Sequence, residues 1–254
     1  MVSPSKGPDV ISRVGVLLRA VGAAEPDGAS TTELARAGDL TRPTTHRVLS
    51  SLLREGLIDR DEQTGVWHLG PELYLLGASA AARYDISHHA RVVISELARE
   101  SGESAFLTAR RGWETVCLLR EDGSFPLRSH VLHEGIRFPL GVASAGLVVL
   151  AHLPDRDVDR YLDEHDLSRV WGASHRKDAL LGRIAKTRDL GYSTNPGLVV
   201  EGSWGMGAAV FDRAGSPAWA LSLTGVESRF RAARRPELGG LLLDQAHRLT
   251  RLIA

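Results

Sequence analysis

Residues 40–57 have the sequence LTRPTTHRVLSSLLREGL, in which apolar residues recur at the three- and four-residue spacing of an α-helix. Thr41 is a favoured N-cap residue, Pro43 is tolerated in a first helical turn, and Gly56 ends the pattern. We therefore predict a helix over residues 42–55. Its expected buried face consists of Thr45, Val48, Leu49, Leu52 and Leu53.

The flanking sequence predicts two more helices and a β-hairpin. The predicted elements are a helix over 10–22, a short helix over 30–38, and strands at 57–60 and 66–69 joined by a turn at 61–65. Ser30 and Glu33 have the spacing of a capping box at the start of the short helix, and Gly38 ends it. Two helices around a tight turn, followed by a hairpin, indicate a winged helix-turn-helix.

The rest of the chain predicts a second domain of mixed type. A linker helix rich in small residues is expected over 71–84, and a new domain is expected from Asp85. Its predicted strands are 105–110, 115–120, 127–132, 198–200, 207–212 and 218–224. Its predicted helices are one that buries Val92, Val93, Leu97 and Ala98, then 143–152, 156–164, 174–190 (burying Leu180, Leu181, Ile184 and Ala185) and a closing helix from Pro236. Strands in runs, rather than in strict alternation with helices, indicate an α+β fold.

Composition and motifs exclude several classes of protein. The 254 residues carry no net charge, which argues against an all-basic nucleic-acid coat protein. The single cysteine, Cys117, excludes an intramolecular disulfide and is expected to be a small buried residue. No apolar run reaches the length of a membrane span, and residues 1–8 form a loose tail without a signal core, so we expect a cytoplasmic protein.

Sequence motifs for catalysis or metal binding are also missing. The chain has no phosphate-binding glycine loop and no zinc-protease motif, and the sequence around Ser203 lacks the spacing of a nucleophile elbow. His130 and His133 would point to opposite faces of a strand. We expect no catalytic residues, no metal site and no cofactor.

Residues 40–49 resemble the recognition-helix signature of IclR-type transcriptional regulators. Further segments resemble that family in the same order: EGLI at 55–58, GVWHLG at 65–70, GIRFPL at 135–140, AAVFD at 208–212 and ALSLTG at 220–225. The resemblance covers about residues 10–254. It implies a winged helix-turn-helix followed by a GAF-like effector domain, assembled as a homodimer or a dimer of dimers on a double-stranded DNA operator. The implied division is a DNA-binding domain at 1–70, a linker helix at 71–84 and an effector-binding and oligomerisation domain at 85–254.

The outward face of the predicted recognition helix supplies the candidate DNA contacts. They are Arg42, Pro43, Thr44, His46 and Arg47, with Arg60 at the start of the wing. Arg47 is the expected base contact, because arginine can donate two hydrogen bonds to guanine. Residues 1–80 hold eight basic and ten acidic residues, whereas residues 41–60 hold four arginines and two acids. Positive charge is therefore concentrated where DNA is expected, although a solvated polar face could have the same composition.

The resemblance also implies a site for a small organic effector. Its positions in this chain are Ser144, Ala145, Asn195, Gly205, Ser222 and Thr224. Free amides at a helix start attract carboxylates, and Ser222 and Thr224 share one face of a strand. Asn195 and Gly205 stand where the family often has an acid and a cysteine. This departure leaves two expectations open: a different effector that is larger or more apolar, or no effector at all.

These observations predict a sequence-specific DNA-binding transcriptional regulator that responds to a small molecule. The alternative from another class is a small-molecule-binding or dimerisation module that no longer binds DNA. The presence of both Arg42 and Arg47 favours the regulator.

Overall fold

The computed structural model describes residues 10–81, 86–127, 129 and 131–253, which divide into two compact units, Met1–Tyr84 and Asp85–Ala254. The predicted tail at 1–8, the end of the predicted linker helix at 82–84 and His130 lie outside the described residues.

The first unit has the predicted winged helix-turn-helix. Its elements are α1 Val10–Ala23, α2 Thr31–Ala37, α3 Arg42–Arg54, β1 Ile58–Arg60, β2 Trp67–Leu69 and α4 Pro71–Ala81. The capping box is confirmed, because the Ser30 amide donates to Glu33 Oε2 at 2.8 Å and the Glu33 amide donates to Ser30 Oγ at 3.3 Å. Thr41 caps α3 by accepting from the Thr44 amide. The local sequence therefore fixes both helix starts.

The core of the first unit lies between α1, α2, α3 and the hairpin. Leu17, Leu34, Leu49, Ile58 and Trp67 are its largest buried side chains. Thr45 and Leu52 are buried as predicted, and Val48 is half-buried. The prediction for Leu53 is wrong, since this side chain is 39% exposed. The buried face of α3 is therefore narrower than its apolar sequence indicates.

The second unit has the predicted α+β architecture, with one antiparallel sheet between two groups of helices. Its strands are β3 Ser104–Arg111, β4 Glu114–Glu121, β5 Arg137–Pro139, β6 Tyr192–Pro196, β7 Ser203–Phe211 and β8 Pro217–Val226. Its helices are α5 Ile86–Ser101, α6 Ser144–Ala151, α7 Asp155–Glu164, α8 Ser168–Trp171, α9 Lys177–Leu190 and α10 Arg235–Ile253. The strand order is β5-β4-β3-β8-β7-β6.

Each face of the sheet packs against its own set of helices. On one face the core combines sheet residues with α5 and α10, and on the other with α6, α7 and α9. All eight residues of α6 are buried. This helix therefore lies in the middle of its layer, under solvent-facing elements.

Two predicted strands do not form. Residues 198–200 are a turn, and the strand of this region is β6, which ends where Asn195 Oδ1 accepts from the Leu198 amide at 3.0 Å. The described residues between 127 and 132 are not in a strand either, because the edge of β4 pairs with β5 instead. The Cys117 amide also donates to the Ile136 carbonyl at 3.0 Å, so this edge of β4 is already paired over residues 114–117.

The burial of three helical residues also differs from prediction. Val92 is 53% exposed and Leu181 39% exposed, and Ala185 is exposed as well. The predicted third helix begins at Lys177 rather than at 174, because residues 173–175 form a separate 3₁₀ turn. The buried faces predicted for these helices are therefore too wide, because they include apolar residues that lie beside the buried face.

A buried carboxylate, that of Glu103, forms ion pairs with two arginines distant in the sequence. The Glu103 side chain is only 1% exposed, and its Oε1 accepts from Arg229 Nε at 2.7 Å and from Arg234 Nη1 at 2.6 Å. Arg234 also donates to the Ser101 carbonyl. The three side chains therefore join the start of β3 to the segment that leads from β8 into α10.

We predict that Glu103→Gln lowers the stability of the second unit by about 2 kcal/mol or more, because it leaves two arginines beside a neutral buried group. The matched control is Glu100→Gln, which breaks an exposed pair with Arg99 and should cost less than about 1 kcal/mol. Urea unfolding of the full chain measures both. Equal midpoints for the two variants would contradict the assigned role of Glu103.

Candidate DNA-binding and effector sites

The predicted DNA contacts of α3 lie together on its outer face. Arg42, Pro43, His46 and Arg47 are exposed, and Thr44 is half-buried. Neither the Arg42 nor the Arg47 guanidinium makes a hydrogen bond or an ion pair with any residue in the described part of the chain. Their guanidinium groups are therefore available to a ligand. Thr44 is partly engaged, because its hydroxyl accepts from that of Thr41 at 2.9 Å.

Trp67 is a residue whose role the sequence did not reveal. Its ring is 1% exposed, and its Nε1 donates to Thr31 Oγ1 at 2.9 Å. The Arg60 guanidinium carbon lies 5.2 Å from the ring centroid, and the His46 ring packs edge-on at 6.4 Å. Trp67 therefore connects the wing to α2 and to the recognition helix. The position of an aromatic residue opposite Arg60 in the predicted hairpin was the sequence signal that could have indicated this role.

Arg60 is placed at the wing as predicted, but part of its guanidinium is already used. Its Nε donates to the Gly65 carbonyl at 3.3 Å across the hairpin turn, and its plane lies over Trp67. The exposed remainder can still donate to a phosphate. Arg60 thus both stabilises the wing and faces solvent.

Glu25 holds the other end of the wing. Its carboxylate accepts from the Leu69 amide at 2.7 Å, and His68 Nδ1 lies 3.1 Å away. The Leu69 amide, and then His68, hold the pKa of the Glu25 carboxyl below its ordinary value. A lowered carboxyl pKa stabilises the fold above the ordinary carboxyl range, and this contribution is lost as the pH falls through the lowered value.

A pocket lies in the second unit at the start of α6. Residues from the predicted effector site that line it are Ser144, Asn195, Gly205 and Thr224; the others are Val131, Leu132, Ala143, Val199, Ser203 and Trp204. Its empty volume is about 290 Å³. The space is so narrow, however, that it holds about one water molecule. An organic ligand would need the pocket to widen.

The start of α6 supplies the polar end of this pocket. The N-cap residue, Ala143, has no side-chain hydrogen bond to the helix, and the first backbone bond of the helix is donated by Leu147. The amides of Ser144, Ala145 and Gly146 therefore have no acceptor among the described residues. Free amides at a helix start favour an anion.

Asn195 is used by the protein itself. Its Nδ2 donates to the Val142 carbonyl at 2.7 Å, and its Oδ1 accepts from the Leu198 amide. Nearby, Ser193 Oγ donates to the Ser144 carbonyl at 2.7 Å. Strand β6 therefore holds both the loop before α6 and its first residue, and the amide of Asn195 is not free for a ligand.

Ser222 and Thr224 share one face of β8, but only Thr224 lines the pocket. Both hydroxyls are buried, and neither has a hydrogen-bond partner among the described residues. Ser222 is fully buried and pairs with Gly207 under α6. Ala145 also lies outside the pocket lining. The structure thus brings four of the six predicted effector residues to one pocket.

The described residues offer no metal cluster, no activated thiol and no membrane-spanning helix. Within residues 10–81, 86–127, 129 and 131–253, no group of three or more His, Cys, Asp or Glu side chains is placed to hold a metal ion. Burial, and then the nearby Glu134 carboxylate, raise the pKa of the Cys117 thiol to about 12. None of the described helices is long and apolar enough to cross a lipid bilayer.

Comparison with known proteins identifies both units. The family model for the IclR helix-turn-helix domain matches residues 10–62, and the model for the C-terminal domain of bacterial IclR transcriptional regulators matches residues 78–251. The HTH-type transcriptional regulator BhcR of Paracoccus denitrificans is 30% identical over 224 residues, which cover 88% of this chain and 80% of BhcR. The chain belongs to the IclR family.

Solved IclR structures share the fold. An IclR transcriptional regulator from Alicyclobacillus acidocaldarius superimposes with a TM-score of 0.80 at 22% identity, over 98% of this chain and 100% of that one. An IclR homolog from Microbacterium hydrocarbonoxydans, solved with 4-hydroxybenzoate, gives 0.76 at 21% identity, over 96% and 98%. The second unit therefore has the GAF-like fold of IclR C-terminal domains, and the protein is a DNA-binding transcriptional regulator, not an enzyme.

The structure shows what surrounds Asn195 and Gly205, the two residues at which the sequence differs from the pattern often found in the IclR family. Asn195 donates to a backbone carbonyl, which a carboxylate could not do. Gly205 leaves the space beside Ser144 open, since a Cβ there would lie 3.0 Å from Ser144 Oγ. Both differences act on the start of α6.

Proposed function

We propose that this regulator binds its operator by placing α3 in the major groove, with Arg47 as the main base contact and Arg42 beside it. The observation that supports this is the pair of exposed arginines whose guanidinium groups have no partner among the described residues, on one face of a helix whose other face is buried. Pro43, Thr44 and His46 complete that face, and Arg60 contacts a phosphate from the wing. A helix of this kind can insert base-contacting side chains without disturbing its own packing.

We predict that Arg47→Ala weakens binding to the preferred site by about 1–3 kcal/mol and relaxes base choice at one position. The site is first selected by the wild-type protein from a random DNA pool. Arg19→Ala is the control, because Arg19 is an exposed arginine on α1 away from this face. Unchanged affinity and selectivity in Arg47→Ala would show that α3 is not the base-reading element.

We further propose that the protein acts as a homodimer through α4. Three large apolar side chains of this helix are exposed: Tyr74 at 77%, Leu75 at 55% and Leu76 at 53%. A contiguous exposed apolar surface usually marks an interface. Two copies also double the local positive charge that residues 41–60 offer.

A two-fold dimer should elute and scatter light as a species of about 55 kDa, twice the 27.5 kDa chain, and should select an inverted repeat. Leu75→Glu is expected to shift the equilibrium towards monomer, because it places charge in the interface. Leu252→Glu, at a site 47% exposed on α10, is the control and should not. A wild-type monomer at micromolar concentration is the result that rejects the dimer.

We also propose that the pocket at the start of α6 binds a small organic carboxylate as effector. The Ser144 amide at the start of α6 and the Thr224 hydroxyl, both without a partner among the described residues, lie at this pocket, and none of its described lining residues is acidic. A neighbouring cleft shares Val131 and Ser203 with the pocket, so a ligand can extend outwards. The effector regulates DNA binding only if it binds the DNA-competent and incompetent states unequally.

Thermal unfolding in the presence of small aromatic and aliphatic carboxylates, starting with 4-hydroxybenzoate, tests the pocket. A ligand that raises the melting temperature of the wild type should have a much smaller effect on Thr224→Val, which removes a hydroxyl at constant shape. Ser222→Ala is the control, because its hydroxyl lies under α6 outside the pocket. Equal responses of wild type and Thr224→Val would place the ligand elsewhere.

The proposed location is the cytoplasm, where an operator is accessible to a DNA-binding regulator. Membership of a family of transcription regulators supports it.

A further inference from the structure

An open cleft between α1 and α3 has no role in the functions described so far. It is lined by Val10, Arg13 and Val14 from α1 and by Thr44, Arg47, Val48, Ser51 and Leu52 from α3. Its empty volume is about 630 Å³. Thr44 and Arg47 belong to the proposed DNA-facing surface, so the cleft opens at the edge of that surface.

The charged side chains among the described residues that line this cleft are both cationic. They are Arg13 and Arg47, and no described lining residue is acidic. Like that of Arg47, the Arg13 guanidinium makes no hydrogen bond or ion pair within the described part of the chain, and its Nε is buried without an acceptor there. A buried cationic donor without an acceptor is unfavourable, so the site favours an anion that can approach it.

The position of the cleft on α3 points to one particular anion. An α-helix is about 10–12 Å wide and the major groove about 12 Å, so a helix in the groove has a sugar–phosphate backbone along each flank. His46 faces the wing on one flank, through its contact with Trp67. Thr44, two residues earlier and thus on the opposite flank, faces the cleft with α1. The wing and α1 therefore border the two different DNA strands.

We propose that the cleft between α1 and α3 binds a DNA backbone phosphate, with Arg13 as the contact on the strand opposite the wing. The valines Val10 and Val14 beside it match the apolar surface of the deoxyribose next to that phosphate. This inference rests on the proposed placement of α3 in the major groove. It adds α1 to the DNA-binding surface, an element that the sequence marked only as structural.

Salt dependence of binding is the first measurement. Arg13→Ala should reduce the slope of log affinity against log salt by about 0.9 per subunit, hence about 1.8 for a two-fold dimer. The loss should be similar on the selected duplex and on a random-sequence duplex, because a phosphate contact carries no sequence information. Arg19→Ala removes the same charge from α1 outside the cleft and should leave the slope nearly unchanged. Arg13→Lys should restore most of it.

Neutral methylphosphonate linkages, placed singly along the selected duplex, then locate the contact. The wild type should lose affinity at a phosphate on the strand away from the wing, and Arg13→Ala should be insensitive at that same linkage. Thermal unfolding checks that all three α1 variants are folded.

Three results would overturn the inference. One is an equal slope for Arg13→Ala and Arg19→Ala. Another is a methylphosphonate profile that Arg13→Ala leaves unchanged. The third is a shift of the DNA-free protein towards monomer in Arg13→Ala, which would make the cleft a protein interface. If Arg47→Ala loses selectivity while Arg13→Ala behaves like Arg19→Ala, only this inference fails. If Arg47→Ala is also silent, the placement of α3 fails.

Discussion

The close approach of α6 to the sheet is the constraint on which the effector unit depends. A Cβ at Gly207 would lie 3.2 Å from the Ser144 carbonyl group, and one at Gly205 would lie 3.0 Å from Ser144 Oγ. Because both side chains are absent, the helix start can rest directly on β7, and β6 can hold it through Ser193 and Asn195. The same approach makes the pocket narrow. A Cβ at Gly207 would press on the Ser144 backbone and shift the start of α6 by a few tenths of an ångström, whereas a Cβ at Gly205 would displace only the Ser144 hydroxyl.

The DNA-binding unit depends in a similar way on one side chain, Trp67. Its backbone exchanges two hydrogen bonds with Ala29, its indole donates to Thr31, and its ring meets Arg60 and His46. The segment before α2, the wing and the recognition helix therefore share one buried contact. A base-contacting helix needs a fixed angle to the wing, because a displacement of about 1 Å is enough to break hydrogen bonds to bases and phosphates. Trp67 supplies that fixed relation without itself facing DNA.

The sequence predicted what local rules determine. The caps at Ser30 and Thr41, the stop at Gly38 and the wing turn at 61–65 all formed, because each depends on neighbouring residues. The predictions were wrong where contacts with other parts of the chain determine the structure. Residues 198–200 have strand-like composition, yet the hydrogen bond from Leu198 to Asn195 turns the chain there. Val92 and Leu53 are apolar, yet lie beyond the buried stripe of their helices. At the effector site, the family resemblance predicted four residues that line the pocket. It did not predict that the Asn195 side-chain amide is hydrogen-bonded within the protein or that α6 covers Ser222.

Residue 195 shows how one substitution can change both the shape and the charge of the pocket. A carboxylate there could accept from the Leu198 amide but would repel the Val142 carbonyl, whereas the asparagine amide donates to it. Asparagine therefore holds the loop before α6 closed. It also removes the negative charge that would oppose the positive end of the α6 dipole. None of the described lining residues carries a charged side chain, so the Ser144 amide at the positive end of α6 favours an anionic ligand over a cationic one.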